Sequence, residues 1–391
     1  MLRRLRFLTA GESHGPGLVA LLEGIPKGLA IDAERMGSEL ARRQRGYGRG
    51  ARMKIESDRA VLRAGVRGGV TLGSPIAILV DNRDHERWKD RMGPEPFSSP
   101  PEPMTRARPG HVDLAGGLKL DTHDLRDVLE RASARETAAR VAAGAVARAF
   151  CEACGVAIFA HVLSIGAVAA DLRGLGVDDL ARRSASSGLR CADRKAAARM
   201  RAAIREAAHA GSTLGGVFEV IARGHPAGLG SHVQWDLRLD ARLAGAFMSI
   251  QAIKGVEIGL GFEAARRRGT DVHDPIGYEE RRGGGAFVRA SNNAGGTEGG
   301  ISNGQPIVVR AAMKPISTLK RALESVDVQT KAPALAATER SDVCAVAAAS
   351  CVGEAMMALV LADAILEKLG GDTMQEVLRS LEAYRQQIER Y

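Results

Sequence analysis

Two short signatures occur twice in this 391-residue chain, in the same order, and they constrain the architecture most. Gly24-x-Pro26-x-Gly28-Leu29 returns as Gly224-x-Pro226-x-Gly228-Leu229. Gly69-Val-Thr-x-Gly73-x-Pro75-Ile76 returns as Gly300-Ile-Ser-x-Gly304-x-Pro306-Ile307. Each copy of the first follows a strand pattern and precedes a helix, and a small-residue helix closes each half, ending at Gly155 and Gly371. A duplicated β/α unit forming one pseudo-symmetric body is the expected outcome. The halves run roughly over 1–160 and 210–375 of a single large domain, with a charged C-terminal helix over 373–391.

The pattern between the signatures is mixed α and β. Residues 5–31 read as strand, turn, strand and turn, and Asp32 is placed as the N-cap of a helix reaching Arg43. Residues 44–53 form a Gly/Arg loop, and 54–82 alternate like strands. Six prolines between 91 and 109 predict an extended surface loop. The spacing of Leu125, Val128, Leu129 and Ala132 predicts one long helix continuing to about Ala153, Ala-rich and packed in the interior. A strand over 156–168, a charged surface helix over 188–210 and a strand-turn-helix-strand run over 214–260 follow. Residues 265–297 read as an Arg/Gly-rich loop, and a strand (305–313), a buried helix (346–369) and the C-terminal helix complete the chain.

One stretch is built to aim a histidine. In Arg108-Pro-Gly-His-Val-Asp113, Pro109 fixes its own φ and Gly110 opens a conformation closed to other residues, so His111 is directed by a stiff turn. Gly11-Glu-Ser-His14-Gly-Pro-Gly17 presents His14 in the same way. Two oriented imidazoles in one pocket can divide acid and base tasks near neutral pH. His85, His161, His209 and His273 lack that framing. In Arg131-Ala-Ser-Ala-Arg-Glu-Thr137 two arginines stand four apart, on one face if the run is helical. Arg43, Arg49, Arg108, Arg135 and Arg340 each lie in or beside a Gly-, Pro- or Ser-rich turn, where main-chain N–H groups are also open to anions. Lys314-Pro-Ile-Ser-Thr318 adds a cation and two hydroxyls suited to a phosphate, and Arg340-Ser-Asp342 pairs a cation with a carboxylate.

A net charge of +9 raises nucleic-acid binding, and another phosphosugar or flavin enzyme is a further rival. Aromatics make up only 4%, no zinc-finger spacing occurs, and the arginines are scattered through turns. A pocket for multiply anionic small molecules suits that distribution better, so no nucleic-acid partner is expected. Gly295 to Gly304 is glycine-rich but is not G-x-G-x-x-G after a strand, and no Walker pattern occurs, which argues against Rossmann and P-loop sites. No apolar run is read as approaching the ~18 residues of a membrane span, and no signal peptide is read at Met1, so the expectation is a cytoplasmic chain without a membrane partner. Five cysteines argue against a disulfide framework, and Cys151-Glu-Ala-Cys154 reads as small core-filling thiols. No cluster of His, Cys and carboxylates has metal spacing, so no metal site is expected.

Taken together the motifs resemble those of chorismate synthases nearly end to end. The likeness rests on Gly11-Glu-Ser-His14-Gly, Arg43-Gln-x-Gly-Tyr-Gly-Arg49-Gly, Arg108-Pro-Gly-His111 and Arg131-Ala-Ser-Ala-Arg-Glu-Thr137. It extends through Met248 to Gly259, Gly299-Gly-Ile-Ser-Asn-Gly-Gln305, Lys314 to Thr318 and Arg340-Ser-Asp-Val-Cys-Ala-Val346. The chain departs from the family pattern at Ala347, where a proline is usual. The resemblance implies an α+β fold, a β-α-β sandwich of two pseudo-symmetric halves, assembled as a homotetramer with reduced FMN. It implies 1,4-anti elimination of phosphate from 5-enolpyruvylshikimate 3-phosphate to give chorismate, with no net redox change. His14, His111 and Asp342 are then the expected catalytic residues, and Arg43, Arg49, Arg108, Arg135 and Arg340 the substrate-binding ones. FMN contacts are expected from Arg131, Ala132, Ser133, Gln251, Ala252, Gly299, Lys314, Pro315, Ile316, Ser317, Thr318 and Arg340. No nicotinamide motif is found, so an external flavin reductase, rather than an intrinsic NADPH-dependent activity, is expected. Segments 44–53, 91–107 and 265–297 are candidate lids.

Overall fold

In the computed structural model, residues 2–50, 57–281, 284–339 and 341–391 are described. Arg6–Ala10 (β1) and Gly17–Glu23 (β2) pair antiparallel, and a helix follows over Ala33–Gln44 (α1). Ala60–Ala64 (β3) and Ile76–Asp81 (β4) complete a four-stranded sheet in the order β1-β2-β4-β3. Alternation in β2 and β4 turns Leu18, Ala20, Leu22, Ile76, Ile78 and Val80 to one buried face. α1 starts as its cap predicts, with the Asp32 carboxylate accepting from the N–H groups of Glu34 and Arg35.

Asp113–Leu120 (α2) and Arg126–Ala132 (α3) lead to Thr137–Ala153 (α4). The single helix expected from Leu125 to Ala153 is therefore interrupted. Ser133 is extended (φ −61°, ψ 143°) and its hydroxyl accepts the Arg135 N–H at 3.2 Å, which sets a 3-10 turn over Ala134–Glu136. A serine hydroxyl competes for main-chain donors where an alanine could not. The break sends Arg131 and Arg135 in different directions, so they do not share a face.

The second unit starts with Ala157–Ile165 (β5) and an insert carrying Val177–Ala185 (α5) and Arg194–His209 (α6). Gly216–Arg223 (β6), Leu239–Met248 (α7) and Ile253–Ile258 (β7) come next, then a hairpin of Ile276–Arg281 (β8) and Gly284–Arg289 (β9). Ile307–Met313 (β10), Val346–Leu369 (α8) and Met374–Arg390 (α9) finish the chain. Its main sheet runs β7-β10-β6-β5, extended by a two-residue strand at Val168–Ala169. Reversed, that is the first sheet's order, with β5, β6, β7 and β10 replacing β1, β2, β3 and β4. Even the bulges match, between Leu62 and Ala64 in one unit and between Ile253 and Gly255 in the other. This correspondence puts β5 first in the second unit, earlier than the boundary read at residue 210.

The repeated signatures build the same hydrogen-bonded knot in both units. The Thr71 hydroxyl donates to Pro26 O at 2.6 Å and accepts Leu29 N–H at 2.9 Å, while Ser302 does the same with Pro226 and Leu229, at 2.9 Å each. Gly28 (φ 97°) and Gly228 (φ 93°) take the turn conformation that requires glycine.

α4 and α8 lie between the two sheets, flanked by α1 and α7. They approach closely at Gly144, where a Cβ would fall 2.4 Å from that of Ala355. By length and composition α8 could cross a bilayer, contrary to the reading that no run comes near, but every residue from Val346 to Leu366 is buried in the core. Its two buried acids are compensated. Glu354 meets Arg42 at 2.6 Å and Arg148 at 3.1 Å, and Asp363 accepts the N–H groups of Arg3, Arg4 and Leu5 at 2.6–2.8 Å. The run over 265–297, read as a loop, instead contains the β8–β9 hairpin. Tyr278 and Phe287 face each other across it, edge to face at 5.2 Å, and a cross-strand aromatic pair supports pairing that low apolar content conceals.

Candidate active site

A cavity of about 640 Å³ opens where the α3–α4 break, the α7–β7 turn, the segment after β10 and the start of α8 converge. His14, His111, Asp342, Arg43, Arg49, Arg108 and Arg135 all line it. So do Ala132, Ser133, Gln251, Ala252, Lys314, Ile316, Ser317 and Thr318. Arg131 lines a neighbouring cavity with Thr9, its guanidinium donating to Thr9 O at 2.8 Å and Gly11 O at 3.2 Å. Gly299 lies in the tight turn of Thr297–Ser302, and Pro315 does not reach the cavity. Arg340, and residues 51–53 of the expected first lid, lie outside the described residues.

His14 is held on a buried acid. Its Nδ1 lies 2.8 Å from Glu130 Oε1 and its main-chain N–H donates to Glu130 Oε2 at 2.8 Å. Trp88 stacks on the imidazole with ring centres 4.1 Å apart. Arg126 lies over Trp88 and bonds Glu130 Oε1 at 2.9 Å. Burial alone would raise the Glu130 carboxyl, but His14, then Arg126, hold it below the usual carboxylate range. His85, set aside in the sequence for want of framing, contacts His14 O through Nδ1 at 2.9 Å.

His111 has the same kind of partner. Gly110 takes φ 75°, as the turn chemistry requires, and His111 Nδ1 meets Asp113 Oδ1 at 2.5 Å, which leaves Nε2 for a ligand. Arg108 grips Asp113 with two prongs, Nε to Oδ2 at 2.7 Å and Nη2 to Oδ1 at 3.0 Å, and donates to Thr318 Oγ1 at 3.0 Å. Against burial, His111 and Arg108 hold the Asp113 carboxyl far below its ordinary value. Lys314 Nζ donates to Gly110 O and so ties the two stretches together.

Asp58 sits behind the arginines, 2.6 Å from Arg43 and 2.5 Å from Arg135. Burial lowers the Arg43 guanidinium, with Asp58 opposing and Arg135 adding to the fall, yet an arginine stays charged. Asp342 Oδ2 meets Arg49 at 2.6 Å and its Oδ1 accepts the Gly50 N–H at 2.5 Å. Among the described lining residues, Arg43, Arg49, Arg108, Arg135 and Lys314 outnumber the carboxylates Glu339 and Asp342. The carboxylates of Asp58, Asp113, Asp342 and Glu339 pair with the four arginines, so these cations are already oriented.

Sequence reasoning missed the groups that do this orienting: Asp58, Asp113, Glu130 and Trp88. Asp113 stands two positions from the framed His111, and that nearness was the available signal; Glu130 adjoins only the singled-out Arg131 and lies 116 positions from His14. Asp58 and Trp88 carried none, because only folding brings them to the arginines and to His14.

The far wall suits a flat ring. Ala132, Ala134, Ala345, Ala348 and Ala349 leave a broad small-residue surface. Ala252 adopts φ 67°, uncommon for a non-glycine residue. Gln251 donates to Glu136 at 3.0 Å, which leaves its buried Oε1 without a partner among the described residues. An orphaned acceptor beside an apolar wall fits a planar group with an N–H edge, as the flavin ring has.

A family model described as chorismate synthase matches residues 5–366. The chain is 55% identical over 392 residues to a chorismate synthase of Geobacter sulfurreducens, covering 99% of this chain and all of that protein. It is 56% identical to that of Aquifex aeolicus, over the full length of both. A crystal structure of a chorismate synthase, 47% identical over the whole of both chains, superimposes with a TM-score of 0.81.

Proposed function

Because the chain belongs to the chorismate synthase family, we propose that this cavity is its active site, with His14, His111 and Asp342 as the catalytic residues. The family reaction is the 1,4-anti elimination of phosphate from 5-enolpyruvylshikimate 3-phosphate, giving chorismate, and this chain is accordingly a carbon–oxygen lyase of the shikimate pathway. One observation carries the assignment of the site: two carboxylate-held histidines and four arginines converge on one cavity.

Arg43, Arg49, Arg108 and Arg135 bind the substrate's phosphate and two carboxylates, with Lys314 as a further cation. Most of them are buried, so their attraction for anions is far stronger than in water. Asp58 and Asp113 hold three of the four guanidiniums in place before substrate arrives, which lowers the cost of ordering them. As phosphate departs its oxygens gain charge, and His14 and His111 in their imidazolium forms donate hydrogen bonds and a proton from Nε2, each reverting to the neutral ring with Nδ1–H on its carboxylate. Asp342 takes up a proton within the cavity, its charge held by Arg49 and the Gly50 N–H.

Reduced FMN, when bound, supplies electron density as phosphate leaves and helps remove the hydrogen at carbon 6. Ala132, Ser133, Gln251, Ala252 and the Lys314–Thr318 segment would hold it, with the Gln251 Oε1 accepting from the ring edge. An external reductase is proposed to deliver the reduced flavin. A cytoplasmic location fits five free, buried cysteines. A homotetramer fits the first sheet's outer face, where Leu8 and Leu21 are 53% and 43% exposed.

The test is an anaerobic assay of the purified protein with 5-enolpyruvylshikimate 3-phosphate and photoreduced FMN, beside oxidised FMN with NADPH. Chorismate and phosphate in equal amounts, with reduced FMN alone, is the expected result. Activity with NADPH as well would overturn the external reductase, and no chorismate from folded protein would overturn the site assignment.

A further inference from the structure

Glu130 holds the Ser13–His14 turn by three contacts. Its carbonyl accepts the Ser13 N–H at 3.0 Å, and its carboxylate takes both the His14 main-chain N–H and His14 Nδ1 at 2.8 Å. Its side chain is 2% exposed, so no water competes for that oxygen pair. Arg126 fixes the carboxylate from the other side, and its guanidinium, 4.9 Å from the Trp88 ring centre, braces the indole that stacks on His14. His85 packs on the carbonyl of the same residue. The imidazole is held on one face by Trp88 and at Nδ1 by Glu130, and what this clamp sets is the nitrogen that bears the proton.

A carboxylate accepts and cannot donate, so the nitrogen facing it must be the N–H. We propose that Glu130 is the positioning residue of His14, fixing the Nδ1–H tautomer so that Nε2 is the nitrogen that exchanges protons with the reacting groups. The inference rests on the reading of the cavity as the active site. Arg126 and Trp88 serve the same end: the cation keeps the carboxylate ionised, and the indole stops the ring from turning Nδ1 away. Among the described residues Glu130 is the carboxylate bonded to His14, and its partner Arg126 also reaches toward Glu339 at 3.5 Å.

Glu130→Gln tests this directly. The amide oxygen still accepts the His14 main-chain N–H, while the NH2 placed against Nδ1 is a donor that displaces the Arg126 guanidinium from that position and drives the ring to the Nε2–H form. Solid-state spectra of enzyme labelled with 15N-histidine, with the His14 signal found by its loss in His14→Asn, read the tautomer whatever the turnover. Nδ1–H in the parent enzyme and Nε2–H in Glu130→Gln are expected. The variant's kcat should fall at least a hundredfold, with KM for both ligands within about threefold, since a related carboxylate-to-amide change costs about 10⁴ in kcat through the wrong tautomer. Glu130→Asp keeps the charge and should keep the Nδ1–H form, which leaves the inference testable if the glutamine variant does not fold. An unchanged tautomer in Glu130→Gln, or Nε2–H in the parent enzyme, would overturn it. A switched tautomer with parental kcat would instead remove His14 from the mechanism proposed above, and the positioning role with it.

Discussion

Asp58 Oδ1 lies 2.5 Å from Arg135 Nη1, and neither side chain is more than 3% exposed. The second oxygen holds Arg43 at 2.6 Å, so one carboxylate orients two cations at the wall of the cavity and leaves one positive charge uncompensated. Asp58→Asn would strand two neighbouring guanidiniums. Breaking a buried pair by removing one partner costs about 3–5 kcal/mol. Urea unfolding should register that loss, and KM for 5-enolpyruvylshikimate 3-phosphate should rise more than tenfold. Parental stability in the variant would show that Asp58 is not what holds the arginines.

His14→Ala and His111→Ala are each expected to lose about 10²–10⁴ in turnover, the usual worth of a positioned proton donor or acceptor. Both rings lie at the cavity edge, 12% and 21% exposed, so the fold should survive. Anaerobic single-turnover traces with photoreduced FMN measure the loss. A parental rate in either variant takes that histidine out of the mechanism.

Acid should unfold the protein in two stages. Burial holds the His225 imidazole below its ordinary value, so the unfolded chain binds the extra proton, and stability begins to fall as pH drops through about 6.5. Asp58, Asp113 and Glu130 are held below the usual carboxylate range. Their contribution is complete above about pH 5 and is lost as pH falls through about 4 and below. The urea midpoint followed from pH 8 to 3 should show a shallow slope, then a steep one. His225→Gln should flatten only the first, and a slope between pH 7 and 5 that survives this change would contradict the assignment.

Leu8 faces Leu21 across β1 and β2, and Val19 and Val61 flank Leu79 on the same face of the first sheet. The matching face of the second sheet carries Phe159, Ile221 and Val308, packed under Leu180 and Ala192 of the 166–214 insert. The first unit has no such insert, so a second copy is the expected cover. Leu8→Glu combined with Leu21→Glu should reduce the assembled mass in light scattering by half or more. An unchanged mass would place the contact elsewhere.

The sequence by itself determined the fold class, the α1 cap and the burial of α8, and it singled out many of the residues that line the cavity. The cap, the Gly/Pro turns and the side-chain periodicity are local and act over a few residues, whereas the Thr71 and Ser302 knots close across 45 and 76 positions. Only the tertiary structure decided what the site residues touch. Glu130 reaches back across 116 positions to His14, and Asp58 lies 77 from Arg135. Such pairs have no periodicity to read, since the energy that joins them exists only once burial removes water from both partners. The break at Ser133 is between these extremes: helical spacing carries through it, and one hydroxyl, closing on the Arg135 N–H, turns Arg135 into the cavity and leaves Arg131 outside.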